Sequence, residues 1–243
     1  MADQLYLSLW YPNFRFAALP ASLIAVLRQF TKVSTGGKSN SEFGRVVAAS
    51  TYPIDWTESP TYQRIYVLDG RAQNSADTEG SIVENAVAEA TEQLHDDTAY
   101  EFEMRWGLWL PETSLSVGSD HSDDPDDEDD LPGGAQLDKG WCLEPTRVRI
   151  TGFGPDFDNG TYESSGHIRV DFGLDTPFTF EGEGGEEDML DRAAALRIGQ
   201  NVEKLLAFTL SVEKHCGISS RLLWTESGEP LAEKLIARLQ RLH

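Results

Sequence analysis

Gly36-Gly37-Lys38-Ser39 has the closing residues of a phosphate-binding loop. That loop needs another glycine five positions before the Gly-Lys pair, where this chain has Lys32. It also needs strand-loop-helix order, whereas here a helical pattern precedes and a strand pattern follows, so no nucleotide site is expected at Lys38. Gly152-Phe153-Gly154 and Gly182-Glu183-Gly184-Gly185 read as turns, because neither opens a helix with dinucleotide-binding spacing. Asp156, Asp158 and Asn159 resemble the start of a calcium loop, but glycine falls at the fifth position and His167 stands at the twelfth. The acidic run fails the same test, with Asp129 at the sixth position from Asp124.

No pair of the histidines His95, His121, His167, His215 and His243 has helical i, i+4 spacing, and there is no Cys-x-x-Cys. His95 stands at a helix end, where the dipole favours it. Cys142 and Cys216 read as packing thiols, and His215 beside Cys216 points away from it. There is no Gly-x-Ser-x-Gly elbow. No catalytic residue, cofactor or metal ligand is assigned.

Charge is the feature that stands out. Forty-one Asp and Glu against 20 Lys and Arg give a formal charge of −21 in 243 residues. Phosphate contacts need clustered Lys and Arg, so nucleic acid and anionic membrane surfaces are poor partners. No apolar run suggests a membrane span and no secretory signal is seen, and two cysteines make no disulfide framework. The expected location is the cytoplasm.

Composition divides the chain into residues 1–115, an acidic connector at 116–139, and residues 140–243, with net charges of −7, −8 and −6. The connector's core, Asp120 to Asp130, has no aliphatic or aromatic residue and reads as a solvated linker.

The first segment reads as a strand at Leu5–Tyr11, a helix at Pro20–Phe30 and strands at Arg45–Thr51 and Tyr62–Asp69. A helix capped by Ser81, with Glu84 completing a capping box, follows. Its apolar face is Val83, Ala86, Val87, Ala90 and Leu94. The clearest strand comes next: Tyr100, Phe102, Met104, Trp106, Leu108 and Leu110 alternate with Glu101, Glu103, Arg105, Gly107 and Trp109.

The second segment alternates at Thr146–Thr151, turns at Asp158-Asn159-Gly160, and alternates again from Ile168 to Leu174, with Pro177–Phe180 extending the sheet. A Gly/Glu loop precedes a long helix over Met189–Lys214, whose stripe is Leu190, Ala194, Ile198, Val202, Leu205, Leu206 and Thr209. Gly217 ends it. A strand at Ile218–Thr225 and a helix from Pro230 close the chain.

The fold class expected is α+β, built from two ferredoxin-like ββαβ lobes with antiparallel or mixed sheets and helices on one face. The first lobe has the order βαββαβ and the second is permuted to βββαβα. A single sheet spanning both segments is the alternative.

The function that follows from the charge is that of a non-enzymatic interaction protein for a basic protein partner, such as a neutraliser of a toxin or a mimic of nucleic-acid charge. Glu101, Glu103 and Trp109 on the outer strand face, with Asp126, Asp127 and Asp129 of the connector, are the candidate contacts. Two alternatives stand beside it. One is a hydrolase or transferase using carboxylates and a divalent cation. The other is a structural subunit of a larger assembly, a homo-oligomer being one form of it.

Overall fold

The central strand behaves as its alternation requires. Tyr100, Phe102, Met104, Trp106 and Leu108 are all buried, while Glu101, Glu103 and Arg105 keep part of their surface. The computed structural model describes residues 2–35, 43–66, 76–111, 140–179 and 188–227. The Lys38 loop, the connector residues 116–139 with Asp126, Asp127 and Asp129, the Gly182–Gly185 loop and the helix expected from Pro230 all lie outside these residues.

The elements are β1 (Gln4–Trp10), α1 (Leu19–Thr35), β2 (Val46–Pro53), β3 (Tyr62–Ile65), α2 (Ala76–Ala90), β4 (Thr98–Pro111), β5 (Trp141–Phe153), α3 (Thr161–Ser164), β6 (Ile168–Leu174), α4 (Thr176–Thr179), α5 (Asp188–His215) and β7 (Ser220–Thr225). The strands form one seven-stranded sheet in the order β3-β2-β4-β5-β6-β1-β7, and neighbours are antiparallel throughout. The fold is α+β, and the sheet spans both segments. β4 pairs with β5 from Ala99 to Pro111, and β1 lies between β6 and β7. A ferredoxin-like first lobe would instead keep β1 beside its own β3 and β4. Element order says which strands exist; it does not say which edges meet.

One face of the sheet carries the main core. Leu5, Leu7 and Leu9 of β1, Val148 and Ile150 of β5, and Ile168, Val170 and Phe172 of β6 project into it. They meet Leu23, Val26, Leu27 and Phe30 of α1, Val83, Ala86 and Val87 of α2, and Leu205, Phe208 and Val212 of α5. Phe30 and Phe172 pack on Trp106, and Phe208 packs edge-on against both, with centroids 5.3–6.0 Å apart. Aromatic clusters of this geometry add to area burial. Phe16–Thr35 reaches a mean hydropathy of 1.2, long and apolar enough to cross a membrane by composition, where the sequence reading saw no such run. Its Leu19, Leu23, Val26, Leu27 and Phe30 stripe is spent on this core.

Several local expectations are corrected. α2 begins at Ala76, so Ser81 is inside it and is not its cap. Asp158, Asn159 and Gly160 all take left-handed backbone, as the Asn-Gly signal implies, but they form a 3-10 turn leading into α3 and not a tight hairpin. Gly152 is inside β5, where a Cβ would stand 2.7 Å from Leu19 Cδ1, and Gly154 opens a turn, its carbonyl accepting Phe157 N–H (3.2 Å), while lying against the backbone of Asp96, so close packing selects both. Gly173 (φ 80°) turns the end of β6 and leaves Leu174 exposed. Thr176–Thr179 is a short helix with Phe178 buried, not a strand. On α5, Leu206 is exposed, while Phe208, Val212 and Asn201 complete the buried stripe.

α5 also closes a sheet edge. β2 stops pairing with β4 at Met104, leaving the outer edge of β4 beyond it. Gly44 N–H donates to Arg105 O (2.8 Å) and Lys204 Nζ donates to Gly107 O (2.7 Å). Asn201 then acts as a surrogate strand: its Oδ1 accepts Trp109 N–H (2.9 Å) and its Nδ2 donates to Trp109 O (2.8 Å) and Pro177 O (2.9 Å). Backbone groups that would template another strand are thereby used.

Candidate functional site

The other face of the sheet holds a basin of about 600 Å³. Strand alternation builds it, because residues whose neighbours enter the core must point the other way. Two adjacent rows cross the strands. One runs Ala48, Glu103, Arg149, Asp171, Tyr6, Trp224; the other runs Gln63, Ser50, Glu101, Thr151, Arg169, Ser8. Ala48 and Ser50 are small and leave room for the long side chains of β4, β5 and β6.

A wall rises at one end. Trp56, in the β2–β3 loop, packs edge-on against Phe153 and Phe157, with centroids at 6.1 and 5.2 Å, and against Tyr52 at 5.4 Å. The loop is held there by a strained residue. Ile54 has φ 66°, rarely tolerated by a β-branched side chain. Its N–H donates to Asp97 O (2.6 Å) and its carbonyl accepts Asp158 N–H (2.8 Å), tying the loop to the connection after β5.

Six charged side chains share the basin, and four of them pair. Arg147 Nε lies 3.2 Å from Glu103 Oε2 and Arg149 3.7 Å from Asp171 Oδ2. Asp171 Oδ1 also accepts from Gln4 Nε2 (2.6 Å) and Gly173 N–H (2.9 Å). The remaining two are Glu101 and Arg169. Neither makes a hydrogen bond or ion pair among the described residues. Burial pushes the Glu101 carboxyl above its ordinary value; Arg149 opposes this, and the neighbouring Asp171 and Glu103 reinforce it. Arg169 stands over three rings instead of a carboxylate: its Cζ is 5.1 Å from the Phe153 centroid, 5.2 Å from Tyr6 and 5.7 Å from Trp56. Burial lowers its pKa, with Tyr6 and Asp171 opposing.

Of the contacts expected from sequence, Glu101 and Glu103 come together on this floor. Trp109 does not join them. It lies eight residues from Glu101, roughly 27 Å along the strand, where it packs beside Trp141, Ala194 and Ile198 under the Arg197 guanidinium at 3.6 Å. The face carries as many cations as carboxylates, since Glu101, Glu103 and Asp171 are matched by Arg147, Arg149 and Arg169. Sequence reasoning placed Arg147, Arg149, Arg169 and Asp171 on polar strand faces but assigned them no role. Only the lateral strand order brings them beside Glu101. Trp56 had no periodic signal at all.

The other residues singled out have structural partners. His167 stacks on Phe14 at 4.3 Å and its Nδ1 accepts Tyr11 N–H (3.0 Å); burial lowers its pKa. Cys216 is buried and its thiol is pushed up to about 11 by that burial, while Cys142 Sγ contacts Glu144 Oε1 (3.2 Å). Among the described residues, no group of three or more His, Cys, Asp or Glu is arranged to hold a metal ion. Comparison of the chain with protein-family models, with curated proteins and with solved structures gives no match.

Proposed function

We propose that the protein is a non-enzymatic interaction protein that captures a basic protein partner, with the basin as the contact face and Glu101 as acceptor for one of the partner's Lys or Arg side chains. The observation that carries this reading is Glu101 itself. It is a half-buried carboxylate that has given up part of its hydration and received no hydrogen bond in return. A cationic side chain docking there would make a charge-assisted bond of about 1.5–3 kcal/mol. Glu103 and Asp171 are already paired and offer less.

The long-range field has the sign this requires. A chain of net charge −21 attracts cations and repels nucleic acid, which raises the on-rate for a basic partner. The biological role we assign is neutralisation of such a partner, in the manner of an immunity protein, antitoxin or charge-mimic inhibitor. The proposed location is the cytoplasm, where the buried thiol of Cys216 would stay reduced.

The test is to recover the partner from the native host and measure association rates in low and high salt. The on-rate should fall steeply as the Debye length drops from ~10 Å at 0.1 M to ~3 Å at 1 M, and Glu101→Gln should raise the off-rate. A salt-insensitive on-rate, or a partner as acidic as this chain, sinks the reading. Metal-dependent turnover of a small substrate without any partner would establish an enzyme instead.

A further inference from the structure

We infer that the basin recognises a ligand carrying two opposite charges, its carboxylate held by Arg169 and its cation by Glu101. The cation half rests on the reading of Glu101 just given; the carboxylate half is new and rests on Arg169.

The argument starts from what the floor leaves over. Arg147 and Arg149 take Glu103 and Asp171, and Asp171 is further fixed by Gln4 and Gly173. Glu101 and Arg169 stand in the same row with Thr151 between them, as the pairings Glu101–Thr151 and Thr151–Arg169 show. Two strand spacings put their Cα atoms roughly 10 Å apart. Two opposite charges share one basin and attract each other across it, but among the described residues they form no ion pair or hydrogen bond.

Arg169 is prepared for an anion. Tyr6, Trp56 and Phe153 hold its guanidinium through their rings, and ring contacts use none of its N–H donors. Those donors lie in one plane, in the fork geometry that binds a carboxylate with two parallel bonds. The pKa directions agree, since burial disfavours the charged form of both groups while they stand apart. A ligand that bridges them satisfies both at once. The volume of about 600 Å³ suits a small ligand or a short peptide turn. Trp56 and Tyr52 offer apolar faces for the carbon chain joining its charges.

The chemical class is therefore a zwitterion with an aliphatic spacer. It could be a free basic amino acid, or a partner segment with Asp or Glu near Lys or Arg. The probes are L-lysine, lysine amide, which lacks the carboxylate, Nε-acetyl-lysine, which lacks the side-chain cation, and the blocked dipeptide acetyl-Asp-Lys-amide. The readout is the indole N–H resonance of Trp56, assigned with Trp56→Phe. L-lysine should shift it saturably, and each truncated probe should bind roughly tenfold more weakly, the loss of one charge-assisted contact. Arg169→Gln should remove the difference between lysine and lysine amide while keeping the preference over Nε-acetyl-lysine. Glu101→Gln should do the reverse. Arg169→Lys keeps the charge without the fork and should fall between wild type and Arg169→Gln.

Equal binding of lysine and lysine amide to the wild type overturns the Arg169 inference and leaves the Glu101 reading intact. Equal binding of lysine and Nε-acetyl-lysine overturns the Glu101 reading, and the bridged ligand with it. No shift with any probe up to about 100 mM, more than tenfold weaker than two charge-assisted contacts would give, overturns both. The dipeptide separates the sources. Binding it as tightly as lysine places the ligand in a partner protein, and rejecting it while lysine binds places the ligand among free amino acids; both outcomes support the zwitterion.

Discussion

Replacing Glu101 by Gln should make the folded chain more stable at neutral pH. The reason lies in the surroundings of the side chain. Its carboxylate sits partly buried on the sheet floor, receives no hydrogen bond among the described residues, and has Asp171 and Glu103 as like-charged neighbours. Leaving a buried polar group unmade costs about 1–3 kcal/mol. Glu101 keeps part of its surface and Arg149 offsets part of the cost, so the expected gain from Gln is near the lower end, about 1 kcal/mol. The pH dependence has a fixed sign. A carboxyl whose folded pKa lies above its ordinary 4.5 binds its proton more tightly in the folded state. Its contribution to stability is then most favourable below the ordinary value and is lost as pH rises through the raised folded value. Urea unfolding of wild type and Glu101→Gln should therefore differ at pH 7 and converge as pH falls below the ordinary 4.5, where the proton binds in both folded and unfolded chains. Taking the difference between the two proteins cancels the titration of the other acids. A Gln variant that is less stable than wild type at pH 7, or a gap that does not change with pH, would refute the claim that this carboxylate lacks an internal partner.

Phe102→Ala should cost about 3–5 kcal/mol, because the ring is fully buried in the main core, whereas Glu103→Ala should cost under about 1 kcal/mol, since its ion pair is with the half-exposed Arg147; equal losses in chemical denaturation would show the strand register to be wrong by one. Asn201→Leu should cost about 3 kcal/mol, roughly 1 kcal/mol for each of its three hydrogen bonds, and should speed hydrogen exchange at the Trp109 amide; unchanged exchange there would mean that α5 does not guard the edge of β4. Gly154→Ala should fail to fold or lose several kcal/mol, because its Cβ would stand 2.2 Å from Asp96 O and a backbone carbonyl cannot swing aside as a side chain can; a near-native melting temperature would contradict this close approach.

Alternation along β4, β5 and β6 was legible because a strand with one dry face must write a period of two into its sequence, and Phe102, Ile150 and Val170 sit where that period puts them. The same rule put Glu101, Glu103, Arg149 and Arg169 on the opposite face. What the period cannot carry is which strands are neighbours, since any apolar face packs against the same helices. That is why two lobes were expected where one sheet exists, and why Glu101 was read without its partners on β5 and β6. Its charged neighbours on β5 and β6, at least 48 residues further along the chain, are Arg149, Arg169 and Asp171. Local rules failed in a patterned way too. Gly152 and Gly154 have the look of a turn, but the need for glycine there is set by Leu19 and by Asp96, far away in sequence. Trp109 alternates correctly with Trp106, yet α5 crosses the end of the strand and takes it out of the basin. The net charge is silent on the site for a related reason. A sum over the chain fixes the field felt at a distance, whereas the chemistry of a contact depends on which charges remain unpaired after the neighbours have met. Here that leaves one carboxylate and one guanidinium in a single row. A basic partner drawn in by the field would therefore meet, at the basin, a surface that asks it for an acid as well as a base.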